Sequence, residues 1–134
     1  MSDIRGVLNV IRYQGGDPSS MRLLFRCPGC NLVHGPTVGP PHPSEPSAPR
    51  WSWNGSFDKP TFDPSLLVRW HTWTPPVTHE NHAEFKRAPW VQTKVESVCH
   101  SFIREGRIQF LNDCTHELAG MTVEIPPFTW NDYD

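Results

Sequence analysis

Proline occupies fifteen of the 134 positions, six of them inside residues 35–50, and this most limits what the chain can fold into. Proline supplies no N–H for a helix interior or a central strand, and its ring clashes with the preceding helical turn, so a helical bundle is disfavoured. Hydrophobic residues are 37% of the chain and charged residues 19%, enough for one modest core and a single domain over 1–134. Twelve Lys and Arg against fourteen Asp and Glu leave a net charge of −2. Residues 1–67 hold six basic and five acidic side chains, and residues 68–134 hold six and nine. Neither half is basic, which argues against a nucleic-acid partner held by phosphate contacts. No apolar run approaches a membrane span and no charged-then-apolar leader opens the chain. The expectation is a cytoplasmic protein with no membrane association.

That compartment governs the reading of Cys27, Cys30, Cys99 and Cys114. Cytosolic thiols stay reduced, and a Cys-x-x-Cys pair there is more often a metal clip or redox couple than a disulfide. The βαβ setting of a redox motif is absent, and a small proline-rich chain gains much from a metal staple.

Strand signals recur along the chain. Ile4 to Tyr13 is rich in Val and Ile, and Met21 to Arg26 is an apolar run that feeds into Cys27-Pro28-Gly29-Cys30, from which Leu32-Val33-His34 returns. Strand, tight turn and returning strand make a zinc knuckle, in which Gly29 and Asn31 can take positive φ. Residues 35–50 read as an extended surface loop. Trp51 to Trp53 and Ser65 to Trp70 read as strands, and residues 71–95 as a second long loop. Val98 to Ile103 and Arg107 to Leu111 form a hairpin around Arg104-Glu105-Gly106. Thr122 to Ile125 is a last strand, and 128–134 a flexible acidic tail. The fold class is mainly β, a small antiparallel domain with a zinc knuckle and long Pro-rich loops.

Cys99 and His100 are strand neighbours and point to opposite faces, so only one of them can readily join a site. The hairpin brings residues 113–116 back beside residues 98–100. Zinc draws four ligands from thiolate and imidazole, and the assignment is Cys27, Cys30, His100 and His116, with Cys99, Cys114 and His34 in reserve. Asp113 and Glu117 flank His116 and are candidates for proton transfer. His42, His71, His79 and His82 belong to loops, and His79-Glu80-Asn81-His82 lacks the spacing of a helical zinc motif. Trp51 and Trp53 belong to the core, whereas Trp70, Trp73 and Trp130 are candidate anchors for a protein partner.

Several segments follow one another in an order of their own: Cys27-Pro28-Gly29-Cys30, Trp51-Ser52-Trp53-Asn54-Gly55, Lys59-Pro60-Thr61-Phe62 with Pro64-Ser65-Leu66, and Cys99-His100-Ser101-Phe102-Ile103. Gly106-Arg107-Ile108-Gln109-Phe110 and Asp113-Cys114-Thr115-His116 with Leu118-Ala119-Gly120 complete the series. Across residues 22–127 the chain resembles a family of small proteins common in tailed phages and prophages, some of them labelled ammonia monooxygenase. The resemblance implies an association with bacterial ubiquitin-like conjugation systems and a metallopeptidase role among relatives. The family often has Ser at the position of Cys114, which favours His116 as the ligand.

Two functions follow from these readings. In the first, a phage- or prophage-encoded protein carries a mainly structural Zn2+ and binds a host or phage protein, for instance to blunt a defence system. In the second, it is a zinc-dependent hydrolase of peptidase or isopeptidase type, with Asp113 or Glu117 as general base. The sequence contains no recognised nucleophile motif, and two thiolates on zinc damp its Lewis acidity, which favours the first.

Overall fold

A computed structural model describes residues 3–130. The first sheet is built from β1 (Ile4–Arg5), β2 (Leu8–Arg12), β3 (Met21–Arg26), β4 (Val33–His34) and β5 (Thr37–Val38). The central β3 pairs with β2 and also with β4 and β5. The second sheet contains β6 (Ser52–Trp53), β7 (Phe62–Thr74), β8 (Thr93–Arg104), β9 (Arg107–Phe110) and β10 (Thr122–Glu124), in the order β10-β9-β8-β7-β6. All of these ladders are antiparallel. Among the described residues one parallel bridge, Val38 to Trp51, joins β5 to the residue before β6. The expectation of a small, mainly β domain is met.

Alternation explains how the strands bury one face. Along β8, Cys99, Ser101 and Ile103 are buried while His100 and Phe102 are only partly so. On β9, Ile108 and Phe110 point inward and Arg107 and Gln109 outward. These residues meet Leu8, Val10, Leu23, Phe25 and Cys27 of the first sheet, and Phe62 and Leu66 of β7, in one cluster. Burying a side chain of this size contributes about 1.5–3 kcal/mol. The β8–β9 turn has positive φ at both central residues, Glu105 (51°) and Gly106 (76°), the two-residue hairpin geometry that matches strand twist.

Three sequence expectations need correction. Residues 35–50 do not start as a loop. Thr37–Val38 pairs with Arg22 and Met21, and Pro36 is fully buried with its carbonyl accepting from Leu23 N–H. Residues 71–95 are mostly ordered structure: β7 runs on to Thr74, α1 (His82–Arg87) follows, and β8 begins at Thr93. The ten ladder pairs of β7 and β8 stabilise polar residues that have no apolar alternation to announce them. The expected flexible tail does not begin at residue 128. Phe128 is buried, and the Thr129 carbonyl accepts from the Arg26 guanidinium at 2.6 Å. Residues 131–134 lie outside the described residues.

The core makes a direct prediction. Ile103→Ala, at a position with no exposure, should destabilise the fold by about 2–5 kcal/mol. Val91→Ala, at a position 87% exposed, should stay within about 0.5 kcal/mol of wild type. Equilibrium denaturation of both variants checks the contrast.

Candidate functional site

One face of β8 carries a cysteine and the other a histidine, and each belongs to a different constellation. On the buried side, Cys27, Cys30, His34 and Cys99 offer four ligand atoms that all lie within 4.8 Å of one another. The knuckle positions the first pair. Cys27 N–H donates to Leu32 O, and Asn31 N–H donates to Cys27 O with Asn31 at φ 58°. This closes the turn between β3 and β4 and leaves His34 at the end of the returning strand. Phe25 holds the His34 ring edge-on at 5.7 Å.

The distances suit a tetrahedral ion. Two sulfurs about 2.3 Å from one zinc at the tetrahedral angle lie about 3.8 Å apart. Cys27 Sγ and Cys99 Sγ are 3.8 Å apart, and Cys30 Sγ is 3.2 Å from His34 Nε2. Three sulfurs and one imidazole, buried or nearly so, form a closed donor set with no position left for a reacting water.

Electrostatics inside the cluster follow from these contacts. Hydrogen bonds from the Cys30 and then the Cys99 thiol hold Cys27 far below the usual thiol range. Cys99 is pushed far up because its proton is shared with Cys27 and Cys30, and because it is buried. For His34, burial works against the charged ring. Hydrogen bonds to Cys27 and Cys30, with the charge on the sulfurs, outweigh it and raise the group to about 9.

The structure does not bring His100 or His116 to this cluster. Cys99 and His100 cannot face the same way, and it is the thiol that turns inward. His34, through the short return of the knuckle, occupies the remaining corner. His116 groups instead with Cys99 and Cys114. Its ring packs edge-on against Phe110 at 4.5 Å, its Nδ1 accepts from Leu118 N–H at 3.2 Å, and its buried Nε2 has no partner. A Cβ at Gly29 would run into this ring, so the glycine of the knuckle is required by packing and not by positive φ.

On the outer face, His100 joins a different line of groups. Its Nε2 lies 3.1 Å from Ser65 Oγ and its Nδ1 lies 3.0 Å from Asp113 Oδ2. An ionised carboxylate only accepts, so Nδ1 carries the ring proton and Nε2 is free to accept from the serine hydroxyl. Leu67 is the cross-strand partner of His100, and the contact with His100 shows Ser65, two residues earlier on β7, on that same face. The ladder register shifts between Phe62 and Leu66, and Ser65 sits within that irregularity. The chain after β9 supplies Asp113. Leu111 N–H donates to His100 O and Thr115 N–H to Val98 O, which lays residues 111–115 along β8. Cys114 Sγ lies 3.2 Å from both the backbone nitrogen and the carbonyl of His100. The His100 side chain is 25% exposed and that of Asp113 53%.

Of the two acids singled out from sequence, Asp113 contacts His100, whereas Glu117 is exposed. Sequence reasoning missed Ser65. It lies in no nucleophile motif, and only its proximity to His100 across the sheet distinguishes it from the other serines.

A closed Cys-Cys-His-Cys cluster lies beneath one strand of this two-sheet β domain, and above it Ser65, His100 and Asp113 stand in the hydrogen-bonded order of a Ser-His-Asp triad. The chain belongs to the BubE family, described as bacterial ubiquitination-like system serine protease, whose family model matches residues 5–111. Ser65 and His100 lie within the match, and Asp113 lies two residues beyond it. The expected link to bacterial ubiquitin-like systems is thereby met, and the chain is a component of that class of system. No curated protein matches it, and no solved structure does. No helix among the described residues is long and apolar enough to cross a membrane.

The cluster predicts which residues govern metal content. Cys99→Ala and His34→Ala should each remove most bound metal from the purified protein. His100→Ala should leave it near wild type, as elemental analysis would report. The pH dependence of the metal-free protein has a definite sign. His34 is raised from 6.5 to about 9 on folding, so its contribution is fully present below about 6.5 and is lost as pH rises through about 9. Metal affinity runs the other way, because the ligands must shed protons. Melting temperatures of chelated protein should therefore fall between neutral pH and pH above about 9, while those of metal-loaded protein should not.

Proposed function

We propose that this protein is a serine protease of a bacterial ubiquitination-like system, with Ser65 as nucleophile, His100 as general base and Asp113 as the group that orients His100. The observation that carries the reading is the unbroken line Ser65 Oγ, His100 Nε2, His100 Nδ1, Asp113 Oδ2, with spacings of 3.1 and 3.0 Å. The family description supports it independently.

The chemistry runs in two halves. Ser65 Oγ bonds to the substrate carbonyl carbon while its proton passes to His100 Nε2. Asp113 stabilises the imidazolium that forms. The carbon–nitrogen bond then breaks, and the departing amine takes the proton from Nε2. Water repeats the sequence on the acyl-enzyme and returns Ser65 to its free form. A half-exposed Asp113 places this site at the surface, open to a protein chain and not confined to a small molecule.

For the cluster we propose zinc, held by Cys27, Cys30, His34 and Cys99 in a structural role. Three thiolates suit zinc, and the ion would supply cross-linking of distant segments. Cys27 and Cys99 are 72 residues apart in sequence. Anchoring Cys99 also fixes which face of β8 presents His100. Asp113 therefore serves a serine in this reading, and the zinc-hydrolase role for Asp113 or Glu117 gives way to it.

A fluorophosphonate probe tests the nucleophile. Wild type should be labelled, Ser65→Ala not at all, and His100→Ala only at background. Asp113→Asn should slow labelling by about a hundredfold or more, less than for a fully buried triad acid because water competes for its hydrogen bond. The three variants should keep their metal. Labelling of Ser65→Ala at the wild-type rate would overturn the assignment. Chelation should lower the melting temperature by many degrees, since a structural zinc contributes on the order of 10 kcal/mol. An unchanged melting temperature after proven metal loss would reject the structural role.

A further inference from the structure

The edge of β7 next to Ser65 is unoccupied along most of its length. β6 covers it only at Phe62 and Asp63, and among the described residues no strand pairs with Leu66–Thr74 on that side. The direction of the main-chain groups there follows from β8. His100 and Val98 turn their own N–H and C=O toward residues 111–115, not toward β7. Their cross-strand partners, Leu67 and Arg69, therefore form non-hydrogen-bonded pairs, and their N–H and C=O point out from the free edge. The Ser65 carbonyl faces the same way and accepts from Trp51 Nε1 at 3.3 Å. An open edge of this kind is a template for an added strand.

A groove accompanies the edge. A cavity of about 180 Å³ lies between Leu66, Leu67 and Val68 on one side and Val33 to Pro36 on the other, with Arg22 and Trp51 in its wall. It shares Arg22, Gly35 and Trp51 with a larger cavity of about 510 Å³, which Tyr13, Glu45 and Arg50 also line. Arg50 is poorly satisfied there. Its Nε is buried without a hydrogen bond, and its Nη1 reaches only Pro49 O at 3.4 Å. Arg22 gives its Nε to Gly35 O. Among the described residues neither guanidinium has a carboxylate partner within salt-bridge distance, and two arginines outweigh the single Glu45.

We propose that the substrate of the Ser65 site is an extended acidic peptide. It adds as a strand to the free edge of β7 through Leu67 and Arg69, and it places a carboxylate side chain in the cavity beside Trp51, where Arg50 and Arg22 receive it. The inference rests on the serine-protease reading for what happens to the peptide, but the binding it describes does not need catalysis. An extended segment paired at a sheet edge holds successive carbonyls at fixed spacing, which is how a chain of protein substrate would be aligned on a surface nucleophile. A guanidinium without a carboxylate partner gains a charge-assisted bond when an acidic residue arrives and only a neutral, weaker one from an amide, so selectivity for acid over amide arises from Arg50.

The test uses the full-length Ser65→Ala protein and short blocked peptides of alternating Thr and Ala, with one Glu moved through successive positions. Binding is read by fluorescence anisotropy. One Glu position should bind about tenfold tighter than its Gln counterpart, and Arg50→Gln in the Ser65→Ala background should erase that ratio while Gln peptides bind as before. Backbone N-methylation of the best peptide should weaken binding at every second residue only, the signature of strand pairing. Equal affinity for Glu and Gln peptides, or N-methyl effects without a period of two, overturns the proposal. The fluorophosphonate result stands apart. Labelled wild type with failed peptide binding rejects the groove alone, and the converse rejects the nucleophile alone.

Discussion

The constraint on which the rest depends is the alternation of β8. Cys99 turns into the core toward Cys27, and His100 must then turn out toward Ser65 and Asp113. One peptide bond separates a buried donor cluster from an exposed proton-transfer line. Any shift of β8 by one residue would exchange the two faces, expose the thiol and bury the imidazole. The cluster and the hairpin both oppose such a slip. Cys99 is gathered with Cys27, Cys30 and His34 from the other sheet, and Ile103, two pleats along, is packed in the core.

β7 contributes by being irregular. Its ladder with β8 skips between Phe62 and Leu66, and in that interval the chain leaves the cover of β6 and presents Ser65 at the start of an open edge. An open edge is a hazard in a small β protein, since it invites other strands. Here it lies beside the proposed nucleophile, with unpaired main-chain groups at Leu67 and Arg69 and a groove reaching Arg50. The same feature that endangers the fold is the one that would hold an extended substrate.

Much of the local structure was legible in the residues. The hairpin turn around Arg104-Glu105-Gly106, the knuckle at Cys27–Cys30 and the sharing of one face by Cys99, Ser101 and Ile103 follow from turn chemistry and period-two patterning. So does the return of Asp113 to the side of His100, because a hairpin of known length leaves little freedom. The polar halves of β7 and β8 were not legible, since Thr72, Thr74, Lys94 and Glu96 give no clear apolar face, and the two halves are strands only because they pair, Thr72 with Val95, Trp73 with Lys94 and Thr74 with Thr93.

The sequence by itself determined that the fold is a small antiparallel β domain, that the knuckle gathers two thiols in one tight turn, and that Cys99 and His100 serve different faces. Only the tertiary structure decided which of the two faced the knuckle, that His34 completed the donors, and that Ser65 met His100. The reason is physical. Local rules act over a turn or a hairpin, whereas Ser65 and His100 are 35 residues apart and Cys27 and Cys99 are 72 apart. Their meeting is set by how two sheets close on a shared core, which no short stretch of the chain encodes.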